Sequence, residues 1–231
     1  MVLKISDIRA QVSKYSNPKF PTLPKRAHKE VSYIVIHSTI CDGYPSKMSL
    51  NDMMPYCVSK NHFSKSGAPC FSYHMVVEDR KGELKAFRCL DYNIRSWHVG
   101  SWNRWSVGIA SIGPDSVKRK DALAFLATVA CLELGLIPDQ EVVIFHRDAP
   151  GCYKRTGEER VYFNNCPGSE FERESFAKSV VDMYGELMES LQDVVNAKMG
   201  EVSAIKDFQK KNDLPITGKL DYNIIKMCYG L

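Results

Sequence analysis

The chain has 231 residues, of which 44% are hydrophobic and 25% charged, and a formal net charge of +4. That apolar content can build a core and excludes an intrinsically disordered chain; the mild positive charge suits an anionic polymer without demanding nucleic acid. No apolar run approaches the roughly 20 residues of a membrane helix, so a membrane-spanning helical protein is excluded.

Residues 1–16 set Ile5, Ile8 and Val12 near helical spacing and predict a short helix. They contain neither the apolar stretch nor the small-residue cleavage site of a secretory signal, so none is expected. The segment NPKFPTLPKR carries three prolines in ten residues and predicts an extended arm. VSYIVIH (31–37) is a nearly continuous β-branched run, the pattern of a strand buried on both faces. Residues 40–69 are polar and rich in Gly and Pro, with one short helix expected at about 50–60. FSYHMVVEDRKGELKAFRCL predicts a hairpin, with strands at 72–78 and 84–88 and a turn at Gly82.

SVGIASIG (106–113) predicts another strand, followed by a helix at 117–134 with Leu123, Leu126, Val129 and Ala130 among its apolar positions. Gly135 stands where that helix should end, and Pro138 prevents its resumption. EVVIFH (141–146) predicts a fourth buried strand, 147–169 a long polar loop, and Phe176, Val180, Met183 and Leu187 one face of a further helix. The expected fold is α/β, a mixed central sheet flanked by helices. Beyond about residue 186 the helical pattern loses its apolar character. AIKDFQKKNDLPITGKLDYNIIKM then predicts a small helical unit, so a boundary is drawn near 190, separating 1–190 from 191–231. A unit of about 40 residues is marginal alone and is expected to lean on the larger domain.

Eight cysteines would fit a disulfide framework in a short secreted chain. Here length, apolar content and the missing signal favour reduced thiols packed as small hydrophobes. No CxxC pair occurs, so a ribbon-type zinc site and a thioredoxin motif are both unsupported. His37 and His146 each end a predicted strand, and functional groups gather at the carboxyl ends of strands in open α/β sheets. Cys166 follows in the loop beyond His146, ahead of Pro167 and Gly168. Two imidazoles and a thiolate suit Zn2+ and leave one tetrahedral position for water. Taken singly, each histidine equally suits a structural role, and the spacing from His37 to His146 is too long to be diagnostic.

The segments IVIHST, FSYHMVVEDRKGEL, SWHVG, SVGIASIG and FHRDAPG…NNCPG occur in an order that resembles the zinc-dependent N-acetylmuramoyl-L-alanine amidases. That superfamily includes small phage lysozyme-like amidases and peptidoglycan-recognition proteins, and the resemblance covers roughly 30–185. It implies a mixed sheet with zinc in a surface groove, held by His37, His146 and Cys166. It also implies cleavage of the amide between muramic acid and L-alanine. Tyr73 matches the catalytic tyrosine, able to hydrogen-bond the attacking water or the oxyanion. His74, on the opposite face of a regular strand, is not expected to be a ligand. Trp97 and His98 match the Trp-His segment that lines the groove; Trp97 is expected to contact substrate, and His98 either to contact substrate or to make a structural hydrogen bond. Asn164 stands where many relatives carry a lysine, so its amide offers a hydrogen bond without a charge. Lys154, Arg155 or Arg160 could substitute for that charge. Ala110 stands where some relatives carry a glutamate. The link from His146 to Cys166 is longer than in many relatives.

AIKDFQKKNDLPITG resembles about half of a helical peptidoglycan-binding module, which implies wall anchoring by 191–231 or a remnant packed on the catalytic domain. With the resemblance, the missing signal motivates the expectation of a phage endolysin that waits in the host cytoplasm until released to the wall, and a monomer is expected. Its partner is peptidoglycan, with no nucleic acid and no membrane span. The alternatives are a non-catalytic recognition protein, a bacterial autolysin or an antibacterial effector amidase. A muramidase would need a carboxylate pair flanking a sugar cleft, and none stands out. A zinc finger from Cys57, His62, Cys70 and His74 has the right ligand types at poor spacings.

Overall fold

A computed structural model of the chain describes residues 3–39, 48–59, 66–80, 82–113, 117–156, 159–162, 164–199 and 202–211. In chain order the elements are β1 (Ile5–Asp7), α1 (Arg9–Val12), β2 (Tyr33–Ser38), α2 (Leu50–Ser59), β3 (Met75–Arg80), β4 (Glu83–Arg88) and β5 (Ser106–Ile112). There follow α3 (Val117–Leu134), β6 (Val143–Phe145), β7 (Tyr153–Thr156), β8 (Glu159–Tyr162), α4 (Arg173–Met199) and α5 (Val202–Lys211). Six strands form one sheet in the order β1-β4-β3-β5-β2-β6, and β7 and β8 pair separately. The β3–β4 hairpin is antiparallel and every other pairing in the large sheet is parallel. This is the expected mixed sheet with helices on its faces.

Residue parity sorts the two faces. Ile34, Ile36, Val107, Ile109, Val143 and Phe145 turn toward α3 and α4, where Leu123, Leu126, Ala130, Phe176 and Val180 meet them. Val76, Ala110 and Ile112 turn the other way, onto Leu50, Met53, Met54 and Cys57 of α2 together with Phe71 and Tyr73. A smaller cluster of Val35, Val99, Ile144 and Ala149 continues that second face toward β6. Burial of β2 and β5 on both sides explains their unbroken apolar sequences. Gly135 ends α3 at φ +68°, with the Leu136 N–H donating to the Cys131 carbonyl at 2.8 Å.

Three sequence expectations are corrected. Residues 1–16 do not form one helix: Ile5–Asp7 is a strand pairing in parallel with Ala86–Arg88, and only Arg9–Val12 is helical. The open edge of β4 offers ladder hydrogen bonds that a short isolated helix could not match. The first hairpin strand begins at Met75, so Tyr73 precedes it. The loop 147–169 contains the β7–β8 hairpin, whose register sets Arg155 opposite Arg160. Helix α4 runs without interruption past residue 190 to Met199, and residues 212–231 lie outside the described residues. The described cysteines 57, 70, 89, 131, 152 and 166 are thiols, not disulfides. No described helix is long and apolar enough to cross a membrane.

Candidate metal centre

Strands β2 and β6 run parallel with Ile36 opposite Phe145, so the next residues, His37 and His146, emerge side by side at their carboxyl ends. Their ring centroids are 4.6 Å apart. Cys166 completes the group: one donor atom each from His37, His146 and Cys166 falls within 4.8 Å of the others. Among the described residues, no other group of three or more His, Cys, Asp or Glu side chains converges in this way. His37 and Cys166 are 0% exposed and His146 is 7% exposed, so any open corner lies on the His146 side.

The donor set suits a zinc ion. Tetrahedral Zn–N and Zn–S bonds require donors about 3.3–3.7 Å apart. His37 Nδ1 lies 3.9 Å from Cys166 Sγ, and closure of the widest spacing needs a movement of about 1 Å. The Ser38 N–H donates to Cys166 Sγ at 3.3 Å and helps to orient the sulfur.

Arg147, the residue after His146, locks the cysteine loop to the strand end. Its N–H donates to the Cys166 carbonyl at 3.1 Å, and its guanidinium donates to the Gly168 and Phe171 carbonyls, each at 2.6 Å. The guanidinium lies over the Phe145 ring, 5.0 Å from its centroid. Asn164 Oδ1 accepts the Cys166 N–H at 3.0 Å, so the amide expected near the reacting groups also shapes the turn that presents the thiol.

His98 takes the hydrogen-bonding alternative. It is 0% exposed and sits behind His37, with His98 Nδ1 3.1 Å from His37 Nε2, so it does not line a groove. The close approach depends on Gly108, where a Cβ would stand 2.8 Å from His98 Cγ and Nδ1. Burial, with His37, His74 and Arg26 nearby, pulls the His98 pKa well below the ordinary imidazole value, so the ring is neutral. His74 lies deeper still: Nδ1 accepts the Gly108 N–H at 3.1 Å and Nε2 donates to the Ile94 carbonyl at 2.9 Å. Burial and the Arg26 guanidinium lower its pKa to about 3. Arg26 is 7% exposed and satisfies the Tyr92, Asn103, Arg104 and Ser106 carbonyls.

Tyr73 is fully buried between Phe71 and His37, its ring centroid 5.1 Å from that of His37. Ala110 lies beside His37 in the β2–β5 register. Trp97 packs edge-on against Phe20 and lines a surface cavity of about 280 Å3 with Arg95, Ser101, Asn103 and Arg104. None of the three donors lines that cavity. Lys154, Arg155 and Arg160 occupy β7 and β8, their side chains outside the described residues, as is His62 of the zinc-finger alternative. Sequence reasoning missed Arg26, Asn103, Ser106, Gly108 and Arg147. Only Arg147 had a local signal, its place directly after His146.

The family model of N-acetylmuramoyl-L-alanine amidases matches residues 27–169. No curated protein sequence matches the chain. Among solved structures, the Staphylococcus aureus hydrolase AmiA, determined in complex with its ligand, is similar at 15% identity and a TM-score of 0.54, covering 82% of this chain and 87% of that one. The Ph2119 endolysin from a Thermus scotoductus bacteriophage is similar at 17% identity and a TM-score of 0.50, covering 77% of this chain and 99% of that one. At these identities the likeness is one of fold.

Proposed function

The chain belongs to the N-acetylmuramoyl-L-alanine amidase family, and from that premise we propose that it hydrolyses the amide between N-acetylmuramic acid and L-alanine in peptidoglycan. The observation that carries this reading is the convergence of His37, His146 and Cys166 within 4.8 Å in a nearly closed bed. These three would hold zinc, which when bound polarises a carbonyl and brings the pKa of a water to about 7. Burial of His37 and Cys166 keeps bulk water off the ligand bed, and the 7% exposure of His146 marks the side from which a scissile bond approaches.

The Tyr73 phenol, beside His37, donates a hydrogen bond to the oxygen that gains charge as the carbonyl is attacked. A donor of that kind contributes about 3–4 kcal/mol in the transition state. The Asn164 amide oxygen accepts the Cys166 N–H, and on this reading its Nδ2 protons serve as a second donor to the oxygen that gains charge. Being neutral, it stabilises that charge less than a lysine would. We assign the protein the role of a monomeric phage endolysin, held in the host cytoplasm until released to the wall, with 191–231 as a wall-binding unit.

Digestion of purified walls followed by mass spectrometry tests the reaction. New L-alanine amino termini are expected, whereas new reducing sugars would indicate a glycan hydrolase. Intact walls despite a full complement of zinc would favour a recognition protein. His37→Ala is expected to lose metal and lysis together.

A further inference from the structure

We propose that His98 is a positioning residue that fixes the tautomer of His37, so that His37 meets its metal through Nδ1. The inference rests on the metal-centre reading and extends it to a side chain that touches neither metal nor substrate. Hydrogen-bond direction propagates inward from a fixed end. The Ser106 hydroxyl has one proton, donated to the Trp102 carbonyl at 2.8 Å. Toward His98 Nε2, 3.2 Å away, the same oxygen can therefore only accept. The Ser106 carbonyl, 3.4 Å from that nitrogen, is a second acceptor. Nε2 of His98 must carry its proton, and Nδ1 of the neutral ring is left as a lone pair.

That lone pair faces His37 Nε2 at 3.1 Å and requires an N–H there. His37 Nδ1 is then the unprotonated nitrogen, and it is the one directed at Cys166 Sγ, 3.9 Å away. An imidazole that ligates a metal gains basicity and a fixed orientation when its other nitrogen donates to a partner. The partner here is an imidazole instead of a carboxylate, so it orients the ligand without adding charge to the site.

The surroundings hold His98 in register. Asn103 Oδ1 accepts the backbone N–H groups of His98 at 2.9 Å and Val99 at 2.8 Å. Gly108 supplies the flat floor under the ring, since a Cβ there would overlap it. The ring is fully buried, so water cannot replace its Nδ1 as acceptor without rearrangement.

The test uses the full chain with 15N-labelled histidine. In the metal-free wild type, long-range 1H–15N spectra are expected to show His37 and His98 both protonated at Nε2. With zinc, His37 is expected to coordinate through Nδ1 and to keep its Nε2 proton in slow exchange. His98→Leu is expected to lower zinc affinity about 10- to 100-fold, measured by chelator competition, and to perturb the thiolate-to-cobalt absorption of the cobalt(II) form. His98→Asn, which returns an acceptor oxygen near the position of Nδ1, should recover most of the loss. A merely structural histidine would not show that rescue.

Coordination through His37 Nε2, an Nδ1-protonated His98, or wild-type affinity in His98→Leu would overturn the proposal. Should His98→Leu fail to fold, the two wild-type spectra decide alone. A wild type that binds no zinc overturns this inference and the metal centre together. A wild type that binds zinc through Nδ1 yet releases reducing sugars overturns only the proposed reaction.

Discussion

Replacing Gly108 with alanine tests the inner layer of the site without removing any polar group. The new methyl carbon would stand 2.8 Å from His98 Cγ and Nδ1 and 3.2 Å from Cδ2. Ordinary carbon contacts begin near 3.5 Å, so the ring must retreat by about 0.7 Å or the strand must bend. Neither is easy. Gly108 lies in the fully buried β5, its N–H is held by His74 and its carbonyl by the His74 N–H at 2.8 Å, and His98 has no solvent to move into. Overpacking of this kind costs about 1–3 kcal/mol. For a chain of this size a loss of about 2 kcal/mol lowers Tm by roughly 4–8 °C. The displaced ring should also release His37 Nε2, so zinc affinity should fall as well. Differential scanning calorimetry of the metal-free protein gives the first quantity and chelator competition the second. A Gly108→Ala protein with unchanged Tm and unchanged zinc affinity would refute both the packing account and the link from His98 to His37.

Tyr73→Phe should retain zinc while lowering kcat about 10²- to 10³-fold, as expected for loss of one oxyanion donor; unchanged turnover on soluble muropeptides would remove the phenol from the chemistry. His74, held neutral with a pKa of about 3, makes stability depend on acid. Between that value and about 6.5 the unfolded chain binds a proton that the folded chain does not, so stability is lost as pH falls through this window. The loss is about 2 kcal/mol by pH 5, and His98, depressed in the same direction, adds to it. Urea unfolding at pH 7 and pH 5 should show the decline, and His74→Gln should flatten it; an equal decline in that variant would discount the buried ring. A chain ending at Met199 should bind whole walls more weakly than the full chain while cleaving soluble fragments at a similar rate. Equal wall binding would reject the anchor.

Much of the fold was legible because its signals are local. VSYIVIH and SVGIASIG announce strands buried on both faces, and Gly135 marks the end of α3 by a conformation that suits glycine. The donor types were legible for the same reason: a histidine directly after an apolar β-branched run sits at a strand end wherever that strand is placed. Other features have no local signal. Ile5, Ile8 and Val12 repeat at helical spacing, yet the free edge of β4 draws Ile5–Asp7 into the sheet. The β7–β8 hairpin likewise arises within a polar stretch that reads as loop.

The kind of chemistry was readable from the residues alone: two imidazoles, a thiol and the strands that present them. Their convergence was decided by the tertiary structure, through the parallel register that sets Ile36 against Phe145 and through Arg147, which pins the Cys166 loop to the same edge. The tertiary structure also chose, for His98, the hydrogen-bonded seat behind His37 over a place in the groove, because only the assembled sheet brings Gly108 under its ring. Periodicity along a chain reports which side of an element is apolar. Contact between residues far apart depends on which strands pair and in what register, and that is set by burial and hydrogen bonding of the whole sheet.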